Sequence, residues 1–167
     1  MADLTNRLGL PLLAVAQAQK EMTHNEALAL IDIAVQPVVQ AVGLDSPPVA
    51  PIGGQCWIVG ANASGVWAGQ AGALAAWTAG GWRFIKPFEG MQVWSNSDQT
   101  MARYESASWL KGVLRGSMIR IDGTKVVGVQ QLAIASPSSG VVVDAEARTS
   151  ISAILSALRA HGLIAIS

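Results

Sequence analysis

The six tryptophans of this chain all fall between Cys56 and Leu110, at Trp57, Trp67, Trp77, Trp82, Trp94 and Trp109, and Gly, Asn and Ser residues separate them at short intervals. Such spacing leaves no room for long helices and predicts short strands joined by turns. Three units repeat the pattern loosely. Residues 55–59 turn through 60–65 into Val66-Trp67. Residues 73–77 turn through 78–81 into 82–85, and residues 91–94 turn through 95–99 into 100–104, with Trp109 beyond another turn. Connections this short favour antiparallel pairing, because parallel strands need a crossover of about a dozen residues. The expected fold is mainly β within an α+β class: a small antiparallel Trp/Gly-rich meander or barrel, with an N-terminal helix before it and a hairpin plus helix after it.

The flanks supply those further elements. Thr23-x-x-Glu26 has the form of a capping box, so a helix is predicted over residues 24–34 with Ala27, Leu28, Leu30, Ile31 and Ala34 on its apolar face. Residues 38–42 read as β, and a link containing Pro47, Pro48 and Pro51 follows. Asp122-Gly123 predicts a hairpin between residues 118–121 and 125–129. The last helix starts at Asp144 as N-cap, carries Glu146 in its first turn and Arg159 and His161 in its last, and stops at Gly162. Residues 1–22 lack a period and are read as an arm. The organisation expected is therefore an arm (1–22), a helix plus Trp-rich β-domain (23–112), and a hairpin with C-terminal helix (113–167).

Composition narrows the function. Hydrophobic residues make up 51% of 167 and charged residues 13%, with a mean hydropathy of +0.38. A typical soluble domain is about 25% charged, so an outside this poor in charge is expected to be covered by copies of the chain or by partners. The apolar runs, such as 8–16 and 71–77, are too short to span a membrane. Arg7, that first run and Ala14-Val15-Ala16 imitate a signal peptide, but Asp3 cancels the positive start and the chain begins at Met1, so none is expected. Zero net charge offers no footprint for nucleic acid. A single cysteine, Cys56, cannot form an internal disulfide and is expected to be a buried apolar side chain made in a reducing cytoplasm.

Chemistry is sparse. Two histidines, His24 and His161, and one cysteine cannot make the usual three- or four-ligand metal site, and the paired glycines are not followed by a phosphate-binding helix start. Glu89, Asp98 and Glu105 are the carboxylates that a glycosidase pair would use, although spacing in sequence does not give their separation. No enzyme activity and no cofactor are expected. Tryptophan faces stack on sugars, which makes Trp67 and Trp77 the candidate glycan-stacking residues. Trp82, Trp94 and Trp109 fit cross-strand aromatic packing instead. The candidate interaction residues are Gln17, Gln19 and Lys20 on the arm, and Ile151, Leu155 and Leu158 on the last helix, beside a small-residue face of Ala153, Ser156, Ala157 and Ala160.

Particular strings carry a likeness. Leu10-Pro11-Leu12-Leu13, Gln17-Ala18-Gln19-Lys20-Glu21 and Thr23-His24-Asn25-Glu26-Ala27-Leu28 resemble the opening of a domain-of-unknown-function family in phage and gene transfer agent virion proteins. Cys56-Trp57-Ile58-Val59, Trp67-Ala68-Gly69, Gly80-Gly81-Trp82-Arg83-Phe84 and Glu89-Gly90-Met91 continue it, so the resemblance covers about residues 8–110. It implies a structural virion component at the base of a host-binding spike or fibre. The nearest likeness is to short spike-base proteins of gene transfer agent heads, because the chain ends after a hairpin and one helix, without a fibre shaft. The implied partners are copies of itself (five at a capsid vertex favoured over three), the capsid or another virion protein, and a separate spike or fibre protein, with no nucleic acid and no membrane. Such a chain would be made in the bacterial cytoplasm and then join the particle. The alternative is a carbohydrate-binding module that contacts host capsular polysaccharide directly.

Overall fold

The computed structural model describes residues 3–13, 20–137 and 144–166, which divide into two compact units, Met1–Val113 and Leu114–Ser167. In the first, β1 (Val38–Leu44), β2 (Cys56–Val59), β3 (Leu74–Thr78), β4 (Gly81–Ile85), β5 (Gln92–Ser95), β6 (Thr100–Glu105) and β7 (Ser108–Lys111) form one sheet in the order β4-β3-β2-β1-β5-β6-β7. The first strand is thus central, and it is parallel to both neighbours. The other pairs are antiparallel. This corrects the expectation of an antiparallel meander throughout. The spacing argument covered the hairpins after Gln55 and left out the Pro-rich link, whose residues 45–55 are enough to return the chain to the same end of the sheet.

Residues 86–91 join β4 at one edge to β5 four places away, about 19 Å along a flat sheet and close to the full reach of six residues. The sheet curls instead. Ile85 of β4 and Trp109 of β7 pack on one cluster with Ile33, Val39, Cys56, Ile58, Leu74 and Val93, and Trp109 Nε1 donates to the Gly72 carbonyl at 2.9 Å. No ladder joins β4 to β7 among the described residues, so the curl is not a closed barrel.

Strand alternation sorts the side chains onto two faces. Cys56, Ile58, Leu74 and Ala76 point into the curl, and Trp57, Val59, Ala75 and Trp77 point to the other face. Residues 66–67, expected as a strand, belong to a 3-10 turn, Gly65–Trp67, which carries Trp67 onto that second face. Gly60 is held close to this loop: a Cβ there would stand 2.7 Å from the Gly43 carbonyl oxygen and against Asp45. Cys56 is buried as expected. Burial pushes its thiol up to about 11, with Asp32 adding to the rise and Arg7 opposing it.

Helix α1 (Lys20–Ala34) begins before the Thr23 capping box. That box is therefore no cap, and Glu26 instead pairs with Arg83 of β4 at 2.7 Å. Ile33 and Asp32 are the buried residues of the helix, while the expected Ile31 is exposed. Ile33 packs in the sheet's apolar cluster, and Asp32 is covered by residues 3–13, which do not extend as an arm. They turn back on themselves through Thr5 N to Leu10 O (3.0 Å) and Leu12 N to Asp3 O (2.8 Å), and they dock on α1. Asp32 accepts from Thr5 Oγ1 (2.9 Å), Arg7 N (3.0 Å) and Leu8 N. The Arg7 guanidinium donates to the carbonyls of Asp32, Ile33 (3.1 Å), Val35 (3.3 Å) and Gln36 (2.8 Å). A cation thus satisfies the carbonyls that every helix leaves open at its C-terminal end.

The second unit contains a hairpin, β8 (Ile119–Ile121) with β9 (Thr124–Val127), whose Asp122 and Gly123 both take positive φ, 45° and 76°, as a type I′ turn requires. Helix α2 (Ala145–Ala160) is capped by Asp144, whose carboxylate accepts from Ala147 N at 2.8 Å, and the turn after it uses Gly162 at φ 70°. Gln131 pairs with Ile164 in a parallel bridge. Among the described residues of this unit, Leu155 and Ile164 are the buried large apolar side chains, and thirteen others are exposed.

Two outcomes follow from these contacts. Asp32→Ala leaves three donors facing a buried void and is expected to cost about 3 kcal/mol, measured by urea unfolding followed through tryptophan fluorescence. Cys56 is expected to resist iodoacetamide at pH 8 in the native chain and to react once urea unfolds it, because only exposure restores its thiolate. Native labelling at the rate of a free thiol would contradict the burial.

Candidate functional site

The tryptophans lie mostly in one cluster on the outer face of the sheet. Trp82 is its hub: its ring meets Trp57, Trp67 and Trp77 edge to face, with centroids 5.6, 5.0 and 5.1 Å away. Trp77 and Trp82 are register partners across the β3–β4 hairpin, and Trp57 also meets Trp67 at 6.3 Å. Such contacts contribute about 0.5–1.5 kcal/mol each beyond the area they bury. Trp67 is 0% exposed. The expectation that it stacks on glycan is therefore corrected, because neither of its faces is open. Trp77 is half-buried against Trp82, which leaves one part of its ring accessible.

A different pair of aromatics borders open space. The β6–β7 hairpin sets Tyr104 opposite Trp109, with ring centroids 5.4 Å apart and an interplanar angle of 61°. Both belong to a cleft of about 370 Å³ at one end of the curled sheet, rimmed by Gly43, Gly60 and Gly72. The turn beside it, Ser106-Ala107, holds two residues with side chains at φ 50° and 60°, a conformation that glycine or asparagine usually supplies. The Glu89 carboxylate accepts from Ser106 N at 3.1 Å and steadies it. Tyr104 is the one titratable group in the lining. The cleft can therefore offer an aromatic edge, a phenol and main-chain groups to a neutral ligand. It has no acid–base pair.

Sequence reasoning passed over this pair because Ser-Ala is not a strong turn signal. The signal available was register: a two-residue turn at 106–107 makes residues 104 and 109 cross-strand partners.

The carboxylates considered for glycoside chemistry are each engaged elsewhere. Glu105 pairs with Arg103, Glu89 holds the Ser106 amide, and Asp98 binds Lys111 and Ser95, both at 2.6 Å. Lys111, then the Ser95 hydroxyl, hold the Asp98 carboxyl below its ordinary range. A second groove, between residues 4–12, α1 and the β3–β4 turn, is lined by Glu26, Asp32, Asn25 and Arg83. These groups are already bonded to one another or to backbone: Arg83 Nε spans both Glu26 oxygens, and Asn25 bonds both polar groups of the Leu13 backbone at 2.9 and 3.0 Å. Among the described residues no group of three or more His, Cys, Asp or Glu could hold a metal ion, and no helix is long and apolar enough to cross a membrane.

Gln17 and Gln19 lie outside the described residues, and Lys20 opens α1. On α2, Leu155 is buried and is corrected as an interaction residue. Ile151 is 45% exposed and Ile154 59%, and Leu158 is half-buried. The accessible stripe thus runs through Ile151 and Ile154.

No curated protein matches the chain. A family model described as a protein of unknown function (DUF2793) matches residues 24–110, from the first turns of α1 to β7, and this domain is found in some phage and gene transfer agent proteins. With more than half of its length matched, the curled sheet and its tryptophan cluster included, the chain belongs to the DUF2793 family.

Proposed function

We propose that this protein is a structural virion component: an oligomeric base or adaptor that links a particle, at the capsid, to a separate host-binding spike or fibre. The observation that carries this reading is the division of the chain. The first unit holds the family domain with its aromatic cluster packed inside, and the second presents most of its large apolar side chains outward. A chain built to act alone would bury that surface. A chain built to join an assembly presents it.

The test uses a tagged full-length chain expressed with the particles. The tag is expected to co-sediment with intact particles through a density gradient and to appear at discrete capsid sites by immunogold labelling, and removal of the gene is expected to leave particles without their fibres. A tag found only in the particle-free fractions would overturn the reading.

The Tyr104–Trp109 cleft favours a second reading, in which the chain itself holds a neutral saccharide of the host capsule. An aromatic edge beside a free phenol and glycine-rimmed backbone is the kind of surface on which sugar CH groups and hydroxyls pair. The expected outcome is retention on a glycan array, reduced about tenfold by Tyr104→Ala. Absence of retention by the unaltered chain removes this reading and leaves the adaptor role standing.

A further inference from the structure

We infer that the second unit carries a self-association element, in which the exposed stripe of α2 and the β8–β9 hairpin are covered by the same elements of other copies of this chain. The inference rests on the oligomeric part of the reading above and assigns the assembly to one segment. Its basis is the thirteen large apolar side chains left exposed there against two buried. Six of them stand on the hairpin and on α2, Ile119, Ile121, Val126, Val127, Ile151 and Ile154, and present roughly 500 Å² per copy, so two copies can bury about 1,000 Å², the lower end of a specific interface.

The hairpin needs such cover. Every residue of β8 and β9 is exposed, and the two strands form a sheet of their own. An isolated two-stranded hairpin is marginal in water, and a third strand or a helix face is what stabilises it. Both outer edges present open backbone donors and acceptors that another copy's strand can pair.

The helix shows why that cover is a like surface. Ala147, Ile151, Ile154 and Leu158 follow each other at intervals of four, three and four residues, the spacing of a helix–helix seam. Leu155 stands one position round and is buried. Ser150, Leu155 and Ala157 flank the seam without charge, and Arg148 is the one cation beside it. A strongly acidic or basic partner would find little to complement. A second copy of α2 offers the same apolar spacing, as a symmetric interface requires.

The experiment compares the full-length chain with a full-length Ile151→Asp/Ile154→Asp variant by sedimentation velocity up to about 100 µM. The unaltered chain is expected to be oligomeric. The variant is expected to associate about 100-fold or more weakly, with an unchanged near-ultraviolet circular dichroism signal from the tryptophan cluster showing that the first unit remains folded. Hydrogen exchange of the unaltered chain supplies the second readout: protection across 119–127 and 145–160 is expected to rise with protein concentration. A monomer at 100 µM, an oligomer that survives the double substitution, or protection that ignores concentration overturns the inference. So does protection gained only when particles are added, which would assign the surface to the particle. Self-association without particle binding would sustain this inference and end the virion reading. Particle binding by a monomer would do the reverse.

Discussion

Parallel pairing on both sides of β1 governs the first unit. A central strand with parallel neighbours cannot be reached by hairpins alone, so the chain must cross the sheet twice, once through the Pro-rich link and once between β4 and β5. The second crossing is short, and the curl of the sheet follows from it. Curling brings Ile85 and Trp109, residues of opposite edges, onto one core. The same curl creates the cleft at its end, because Tyr104 and Trp109 are brought toward the loops around Gly43, Gly60 and Gly72. Geometry that began as a problem of connection thus ends as a concave surface.

Tryptophan content, the most visible property of the sequence, goes mostly into packing: Trp57, Trp67, Trp77 and Trp82 share one cluster. A sheet whose strands are four to seven residues long buries little per strand, and large rings supply area where length does not. Trp67 shows the division of labour: the 3-10 turn that carries it lies outside the sheet, yet the ring is fully enclosed. Its buried Nε1 has no acceptor among the described residues, a cost of about 1–3 kcal/mol that the surrounding rings must offset.

Much of this was legible in the residues, and the parts that were not share a cause. Strand pairs joined by short turns were readable from alternation and turn chemistry, as in 73–77 with 82–85, and so was the Asp122-Gly123 hairpin. The ends of α2 were readable as well, because Asp144 and Gly162 act on backbone groups a few residues away. What failed was non-local. The capping-box pattern at Thr23 is local, but Glu26 found its partner 57 residues away in Arg83. The parallel partners of β1, the burial of Asp32 and the enclosure of Trp67 likewise depend on segments distant in sequence. On α2 the stripe was readable from its spacing, while which of its members is enclosed was not: Leu155 is buried and Ile151 exposed, although both were expected at an interaction surface.

The contact between Arg7 and the end of α1 bears on where this domain begins. Recognition by family likeness starts at residue 24, yet the carboxylate of Asp32 and the last carbonyls of the helix find their donors at residues 5–8. Those donors act as a clasp, fastening the head of the chain to a point some 25 residues later without a covalent bond. The unit that folds is therefore longer than the unit that similarity detects. A fragment trimmed to the matched residues would lose these donors and leave Asp32 and the last carbonyls of α1 to water.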